Sequence, residues 1–170
     1  MSDLFKFNNI NLDNLTETFN MPFYLSYQSM WPESFTVAQA PDSSLMGYML
    51  AKAEGDGKLW HGHVSAVTVA PTFRRLGLAK VFMDDLERFS EEVYNAFFVD
   101  LFVRSSNALA IGMYEKFGYV TYRRVIDYYS SGSGEDNEDA LDMRKALKRD
   151  SKKESVVPLD HPVMPEDLEW

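Results

Sequence analysis

The stretch VSAVTVAPTFRRLGLAK, residues 64–80, decides the fold. Its first part is β-branched from Val64 to Val69 and stops at Pro71. Branching at Cβ favours the extended chain, and proline cannot carry a central ladder onward. After Pro71 the apolar period changes. From Leu78 the apolar residues fall at Phe82, Leu86, Phe89 and Val93, spaced four, four, three and four. That is one face of an amphipathic helix. A strand therefore feeds a long helix through a turn that holds Arg74, Arg75, Gly77 and Lys80. The first turn of a helix presents unsatisfied N–H groups and a positive dipole end. Gly77 removes the side chain that would keep an anion from the backbone, and Ala79 is small. Together they form a candidate pyrophosphate cradle, with Arg74, Arg75 and Lys80 adding charge. Gly-Lys-Ser/Thr and G-x-G-x-x-G are both absent, so the turn is neither a P-loop nor the dinucleotide fingerprint. Taken alone, it also reads as a solvated basic helix start.

Outward from this turn the elements alternate. Upstream, two strand-like runs, 35–40 and 45–53, flank Pro-Asp-Ser-Ser and read as a hairpin. Residues 3–31 read as short helices with aromatic loops; Pro22 suits a first helical turn and Pro32 a stop. Downstream, AFFVDLFV (96–103) is apolar enough for a strand covered on both faces. Asn107 to Lys116 reads as a helix ended by Gly118, and 119–129 as a strand. A polar loop spans 130–139, and 140–147 returns as a hairpin partner. The order predicts one domain over 1–147, an α/β (α+β) fold whose mixed sheet is flanked by helices. Residues 148–170 read as a C-terminal tail without a core of its own.

Composition sets outer limits. The chain has 170 residues, 45% of them apolar, and a formal net charge of -9. That acidity argues against general nucleic-acid binding, which relies on clustered cations. There is no cysteine, so disulfides and zinc–thiolate sites are excluded. No apolar run reaches the length of a membrane span and no leader pattern is evident, so a cytoplasmic protein is expected and the sequon at Asn14 is expected to be unused.

Arg74-x-x-Gly77-x-Ala79, between a β-branched strand and an amphipathic helix, resembles the acetyl-CoA motif of the GNAT acetyltransferases, Q/R-x-x-G-x-G/A. SSNALAIGMYEKFGYV (105–120) resembles that superfamily's next block: an Asn, a Tyr seven residues on, then Gly-aromatic. Longer stretches, including FNNINLDNLTE, PFYLSYQSMWPE, HGHV, FFVDLFVR and EDALDMRKAL, resemble the family of catalytic subunits of N-terminal acetyltransferase B (NatB) complexes. The resemblance implies the GNAT fold, a mostly antiparallel mixed sheet split between two central parallel strands, at 64–69 and 97–103. It implies acetyl-CoA as cosubstrate in that split, with no metal. Val67, Val69, Arg74, Arg75, Gly77, Leu78, Ala79, Lys80, Asn107 and Tyr114 would bind it. The implied reaction is acetylation of the α-amine of an N-terminal Met followed by Asp, Glu, Asn or Gln. The implied partners are a large helical auxiliary subunit and, through it, the ribosome with its nascent N-termini. One departure is visible. GNAT chains usually open with a short strand, whereas this one reaches DLFKF at Asp3, which predicts that the strand is missing. An enzyme for another amine (Lys or a small polyamine) and a non-catalytic CoA-binding subunit are the competing readings.

The residues suit an α-amine substrate. Its pKa of about 7.7–8.0 leaves roughly a tenth neutral near pH 7, against well under a thousandth of a Lys amine. A modest base then suffices. The catalytic candidates are Tyr114, as acid or hydrogen-bond donor to the leaving sulfur, with His63 and Tyr128. The alternative for Tyr114 is a core aromatic, and for Asn107 the N-cap of its helix. An acidic second residue on the peptide needs a donor, and His63 is the leading candidate. His61 lies two residues away and shares its face if both are in the strand. A metal pair is not expected, because the only other histidine is His161 in the tail. Tyr128 and Tyr129 are adjacent in a strand, so opposite faces are predicted; the resemblance favours Tyr128 as peptide contact, with Tyr129 helping from the loop end. It also assigns Glu17 and Phe19 to one wall of the Met pocket. Asp100 interrupts an apolar strand; a buried carboxylate needs a partner, so it reads as structural. Aromatic residues between Phe5 and Trp31 either pack on the sheet or dock the auxiliary subunit.

Overall fold

The computed structural model describes residue 10, residues 19–130 and residues 137–169. Helix α1 spans Met21–Met30, β1 Phe35–Gln39, β2 Leu45–Glu54 and β3 His61–Val69. Then come α2 (Leu78–Glu92), β4 (Phe98–Arg104), α3 (Ala108–Lys116), β5 (Val120–Tyr129) and β6 (Glu138–Ala146). The strands form one six-stranded sheet in the order β1-β2-β3-β4-β6-β5. It is mixed, mostly antiparallel, with β3 and β4 as the parallel pair, as the sequence predicts. Among the described residues no helix is long and apolar enough to cross a membrane. The chain separates into two compact units, 1–52 with 64–89 and 53–63 with 90–170. The predicted missing first strand, Phe5, Phe7 and Glu17 lie outside the described residues.

In the first unit, α1 starts because Asn20 Oδ1 accepts from the Phe23 N–H at 3.0 Å and Pro22 sits in the opening turn. Pro32 follows its end. Tyr24 and Tyr27 face inward and pack with Ile10, Leu45, Tyr48, Leu50 and Ala70. Tyr27 also exchanges a 2.6 Å hydroxyl bond with Ser65. Among the described residues, the aromatics from Phe19 to Trp31 thus pack into this cluster, while Met21, Leu25 and Met30 of α1 stay exposed. In α2, Phe82 and Leu86 are buried as the spacing predicts, joined by Met83. Val93 continues the spacing but lies past the helix end and is exposed. A Cβ on Gly47 would stand 2.5 Å from the Thr68 carbonyl oxygen, so a close approach of β2 to β3 requires glycine there.

In the second unit, β6 pairs antiparallel with β4 and with β5. The β4 register sets Asp100 opposite Arg144 and Phe102 opposite Asp142. Strand β5 is irregular between Val125 and Tyr129, where Asp127 takes a positive φ of 54° and its N–H donates to Asp139 Oδ1 at 2.9 Å. Val125 pairs with Ala140 and Tyr129 with Glu138, so this is a bulge of two extra residues, which re-aims the side chains beyond it. The C-terminal segment runs along β5. Leu159 N–H donates to Tyr122 O at 2.8 Å, Val163 N–H to Arg124 O at 2.9 Å and Ile126 N–H to Val163 O at 2.9 Å. Val163 pairs parallel with Val125, and Leu168 is buried with Val125 and Ala140. The segment contributes to the core of the sheet instead of building one.

Candidate active site

The first unit carries the turn. Gly77 has φ +82°, a conformation that L side chains rarely adopt, and nothing lies within 4 Å of where its Cβ would be. Open space, not crowding, surrounds this glycine, which suits a backbone that must admit an anion. Arg75, two residues before it, also has positive φ (67°). The cations are less dedicated than their sequence spacing implies. Arg74 Nε donates back to the Val69 carbonyl at 3.2 Å, and Lys80 pairs with Asp84 one helical turn on. Arg74, Arg75 and Lys80 are exposed, while Leu78 and Ala79, which open α2, are half-buried. Val67 and Val69 are half-buried on one face of β3.

The second unit carries the groups that can move or hold protons. Strand β3 begins at His61, three residues before the β-branched run, so His61 and His63 both lie in it and share a face. That start requires Gly62, because a Cβ there would stand 2.2 Å from Ser90 Oγ. The partner that Asp100 needs is His63. His63 Nδ1 donates to Asp100 Oδ1 at 2.8 Å, and both side chains are buried. Burial on its own raises the Asp100 pKa. The charges of His61 and His63, the hydrogen bond from His63 and the charge of Arg144 outweigh it and hold the carboxyl at about 2. Across β6, Asp142 accepts from Arg123 Nε at 2.8 Å and from Arg144 Nη2 at 3.1 Å.

Glu54, at the end of β2, completes the group, with Oε1 3.7 Å from His63 Nδ1 and 3.8 Å from His61 Nε2. Sequence reading missed Glu54, because it stands just before a Gly-Asp-Gly turn with nothing nearby to mark it. Glu54, His61 and His63 bring ligand atoms within 4.8 Å of one another. The 2.8 Å contact of His63 with Asp100 is the length of an N–H···O bond. His161 is exposed and bonded to Asp160.

Tyr114 is buried in α3, edge-on to Phe117 and Tyr119, and burial pushes its phenol up to about 12. It is therefore a neutral donor at any working pH. Asn107 does cap α3, with Oδ1 accepting from the Ala110 N–H at 3.1 Å. The cap uses the oxygen and not the amide nitrogen. Tyr128 and Tyr129 correct a prediction. Their rings are 5.0 Å apart at 85°, so they meet at one corner and do not point to opposite faces. The bulge at Asp127 is the reason. Tyr128 stacks on Phe102 at 4.7 Å, and the Arg104 guanidinium lies 4.2 Å from the Tyr129 ring. Phe19 stacks on Phe23 at 4.2 Å at the entrance to α1.

A six-stranded sheet with one parallel pair, and a strand–turn–helix with an uncrowded glycine at positive φ, are the features of a GNAT acetyltransferase. The profile of the acetyltransferase (GNAT) family matches residues 4–119, and the chain belongs to that family, whose members draw acetyl from acetyl-CoA. Within it, the chain groups with the catalytic subunits of N-terminal acetyltransferases. It is 60% identical over 167 residues to N-alpha-acetyltransferase 20 of Dictyostelium discoideum, covering 98% of this chain and 94% of that protein. It is 56% identical over 169 residues to the N-terminal acetyltransferase B complex catalytic subunit NAA20 of Arabidopsis thaliana, covering 99% and 94%. The crystal structure of Chaetomium thermophilum Naa20 in complex with a bisubstrate analogue matches at a TM-score of 0.90 and 40% identity, covering 97% and 94%.

Proposed function

We propose that the chain acetylates the α-amine of peptides beginning Met-Asp, Met-Glu, Met-Asn or Met-Gln, as the catalytic subunit of a NatB-type complex. The observation that carries this reading is His63, a buried ring whose Nδ1 is bonded to an ionised Asp100, in a chain so similar to a NatB catalytic subunit. A carboxylate or amide on the second residue requires a donor, and His63 is that donor. Acetyl-CoA supplies the acetyl thioester. Val67, Val69, Arg74, Arg75, Leu78, Ala79 and Lys80 would hold it around the Gly77 backbone, with the Asn107 amide nitrogen adding a contact. The Tyr114 phenol donates to the sulfur as negative charge builds there. Tyr128 and Tyr129 contact the peptide from their shared corner, while Glu17 and Phe19 wall the Met pocket. The α-amine, partly neutral at pH 7, requires little further help.

The acetyltransferase domain covers 1–147, with 148–170 an extension laid along β5. Exposed Met21, Leu25 and Met30 on α1 support docking of a large helical auxiliary subunit. Through that subunit the enzyme meets nascent chains at the cytoplasmic ribosome, with no specific nucleic-acid contact of its own.

The test is a peptide panel offered with acetyl-CoA to the complex. Met-Asp, Met-Glu, Met-Asn and Met-Gln N-termini should be acetylated well above Ser-Ala N-termini and internal Lys. Equal rates on Ser-Ala or Lys would overturn the reading.

A further inference from the structure

Around His63 runs a buried row of charge that the chemistry above does not use. Glu54, half-buried, stands on β2; the buried members are His61 and His63 on β3, Asp100 on β4, Asp142 and Arg144 on β6 and Arg123 on β5. Three carboxylates face two guanidiniums. Asp100 stands opposite Arg144 in the ladder, yet Arg144 gives Nε and Nη2 to Asp142 at 3.2 and 3.1 Å. Its guanidinium is also held over the Tyr122 ring at 3.6 Å and near Phe98 at 4.5 Å. Arg123 likewise goes to Asp142. Asp100 therefore turns its Oδ1 to the histidines, 2.8 Å from His63 Nδ1 and 3.4 Å from His61 Nε2.

The two rings are not equivalent. His61 Nδ1 donates to the Leu59 carbonyl at 2.5 Å, and its ring lies flat on Phe98 at 4.7 Å. Its Nε2 is buried without a hydrogen-bond partner among the described residues. His61 is thus locked into the interior. His63 pairs with Asp100 through the other nitrogen, which puts its Nε2 on the far edge of the ring. Phe102 lies beside that ring at 5.8 Å, and Tyr128 stacks on Phe102. The His63 ring therefore has the carboxylate on its Nδ1 side and belongs to the same aromatic chain as the tyrosine corner.

We propose that Asp100 is the positioning residue for His63. Its carboxylate accepts the Nδ1–H, fixes which nitrogen faces the peptide, and supplies the counter-charge for an imidazolium that donates to the side chain of the peptide's second residue. This rests on the reading of His63 as the second-residue contact. Among the described residues, the other charged or titratable groups around His63 include Glu54 on β2 and His61 on β3, with Arg144 and Asp142 behind Asp100 on β6. Glu54 Oε1 stands 3.7 Å from His63 Nδ1, against 2.8 Å for Asp100 Oδ1.

The test compares Asp100→Asn with wild type in the complex, using Met-Asp and Met-Asn peptides across pH. Asparagine keeps the size and an acceptor but removes the charge. The peptide KM should rise for Met-Asp by about tenfold, the size of one charge-assisted hydrogen bond, and less for Met-Asn. The acetyl-CoA KM should not change. The Met-Asp over Met-Asn ratio should be lower in Asp100→Asn than in wild type at each pH. The two peptides share one α-amine, so its own titration cancels in the ratio. An unchanged ratio in Asp100→Asn, with His63→Gln still lowering the ratio, overturns the role of Asp100 and leaves His63 standing. If His63→Gln also leaves the ratio intact, both readings fall. Should Asp100→Asn fold poorly, imidazole 15N shifts in the wild-type complex decide: Nδ1 should carry its proton, and a bare Nδ1 with Nε2–H overturns the proposal.

Discussion

The turn at 74–80 lies exposed and is written by seven consecutive residues, whereas the charged row around Asp100 is buried and drawn from residues between 54 and 144. The turn works through its backbone. Gly77 and Arg75 take positive φ, while Arg74 and Lys80 each bond a neighbour within the same unit. The row works through side chains that only register brings together, Asp100 against Arg144 and Phe102 against Asp142. Backbone conformation is a local property and charge pairing across a sheet is not. One region should therefore tolerate loss of its charges and not of its glycine. The other should tolerate little of either.

Gly77→Val breaks the comparison hardest if it is wrong. A β-branched residue at positive φ costs about 1–2 kcal/mol, and its bulk would fill the open space an anion needs. Acetyl-CoA turnover should fall about 100-fold or more, read by steady-state kinetics, while the protein still folds. Next in size is Gly62→Ala, whose new Cβ meets Ser90 Oγ. Denaturant unfolding should show a loss of about 1–3 kcal/mol, recovered in large part by adding Ser90→Gly.

Tyr114 gives a pH signature in place of a large stability change. Its phenol titrates at about 12 when folded against about 10 when free, so the native state favours the protonated form. That contribution is complete below pH 10 and is lost as pH rises towards 12. Thermal melts of Tyr114→Phe should lack this alkaline decline, and its kcat should drop with both KM values unchanged. The smallest effect belongs to Arg74→Ala with Arg75→Ala. Exposed cations contribute about 0.2–1 kcal/mol each, so the acetyl-CoA KM should rise by about twofold to thirtyfold.

What the sequence made legible follows the same division. The strand, the turn, the amphipathic helix and the order of the remaining elements come from short-range pattern, and from β3 to β6 the elements follow in the order the pattern gives. Tyr114 and Asn107 stand on or beside α3 for the same reason. What escaped is non-local. Gly62 weakens strand propensity between two histidines, so the strand reads as starting at Val64; packing against Ser90 is what extends it to His61. Adjacent tyrosines imply opposite faces, and nothing in IDYY marks the bulge that Asp139 stabilises by accepting from the Asp127 N–H. Glu54 and Asp100 become one group with the histidines only once strands pair. The C-terminal segment has few apolar residues, yet backbone bonds to β5 are indifferent to side chains, and Val163 and Leu168 suffice to seat it.

The most direct measurement is a crossed kinetic comparison in the complex, with acetyl-CoA and a Met-Asp peptide each varied against Gly77→Ala and His63→Gln. If the turn holds the acetyl donor and the charged row reads the peptide, Gly77→Ala raises the KM for acetyl-CoA alone and His63→Gln the KM for peptide alone. A His63→Gln enzyme that keeps its peptide KM, or a Gly77→Ala enzyme that keeps its acetyl-CoA KM, would contradict that division.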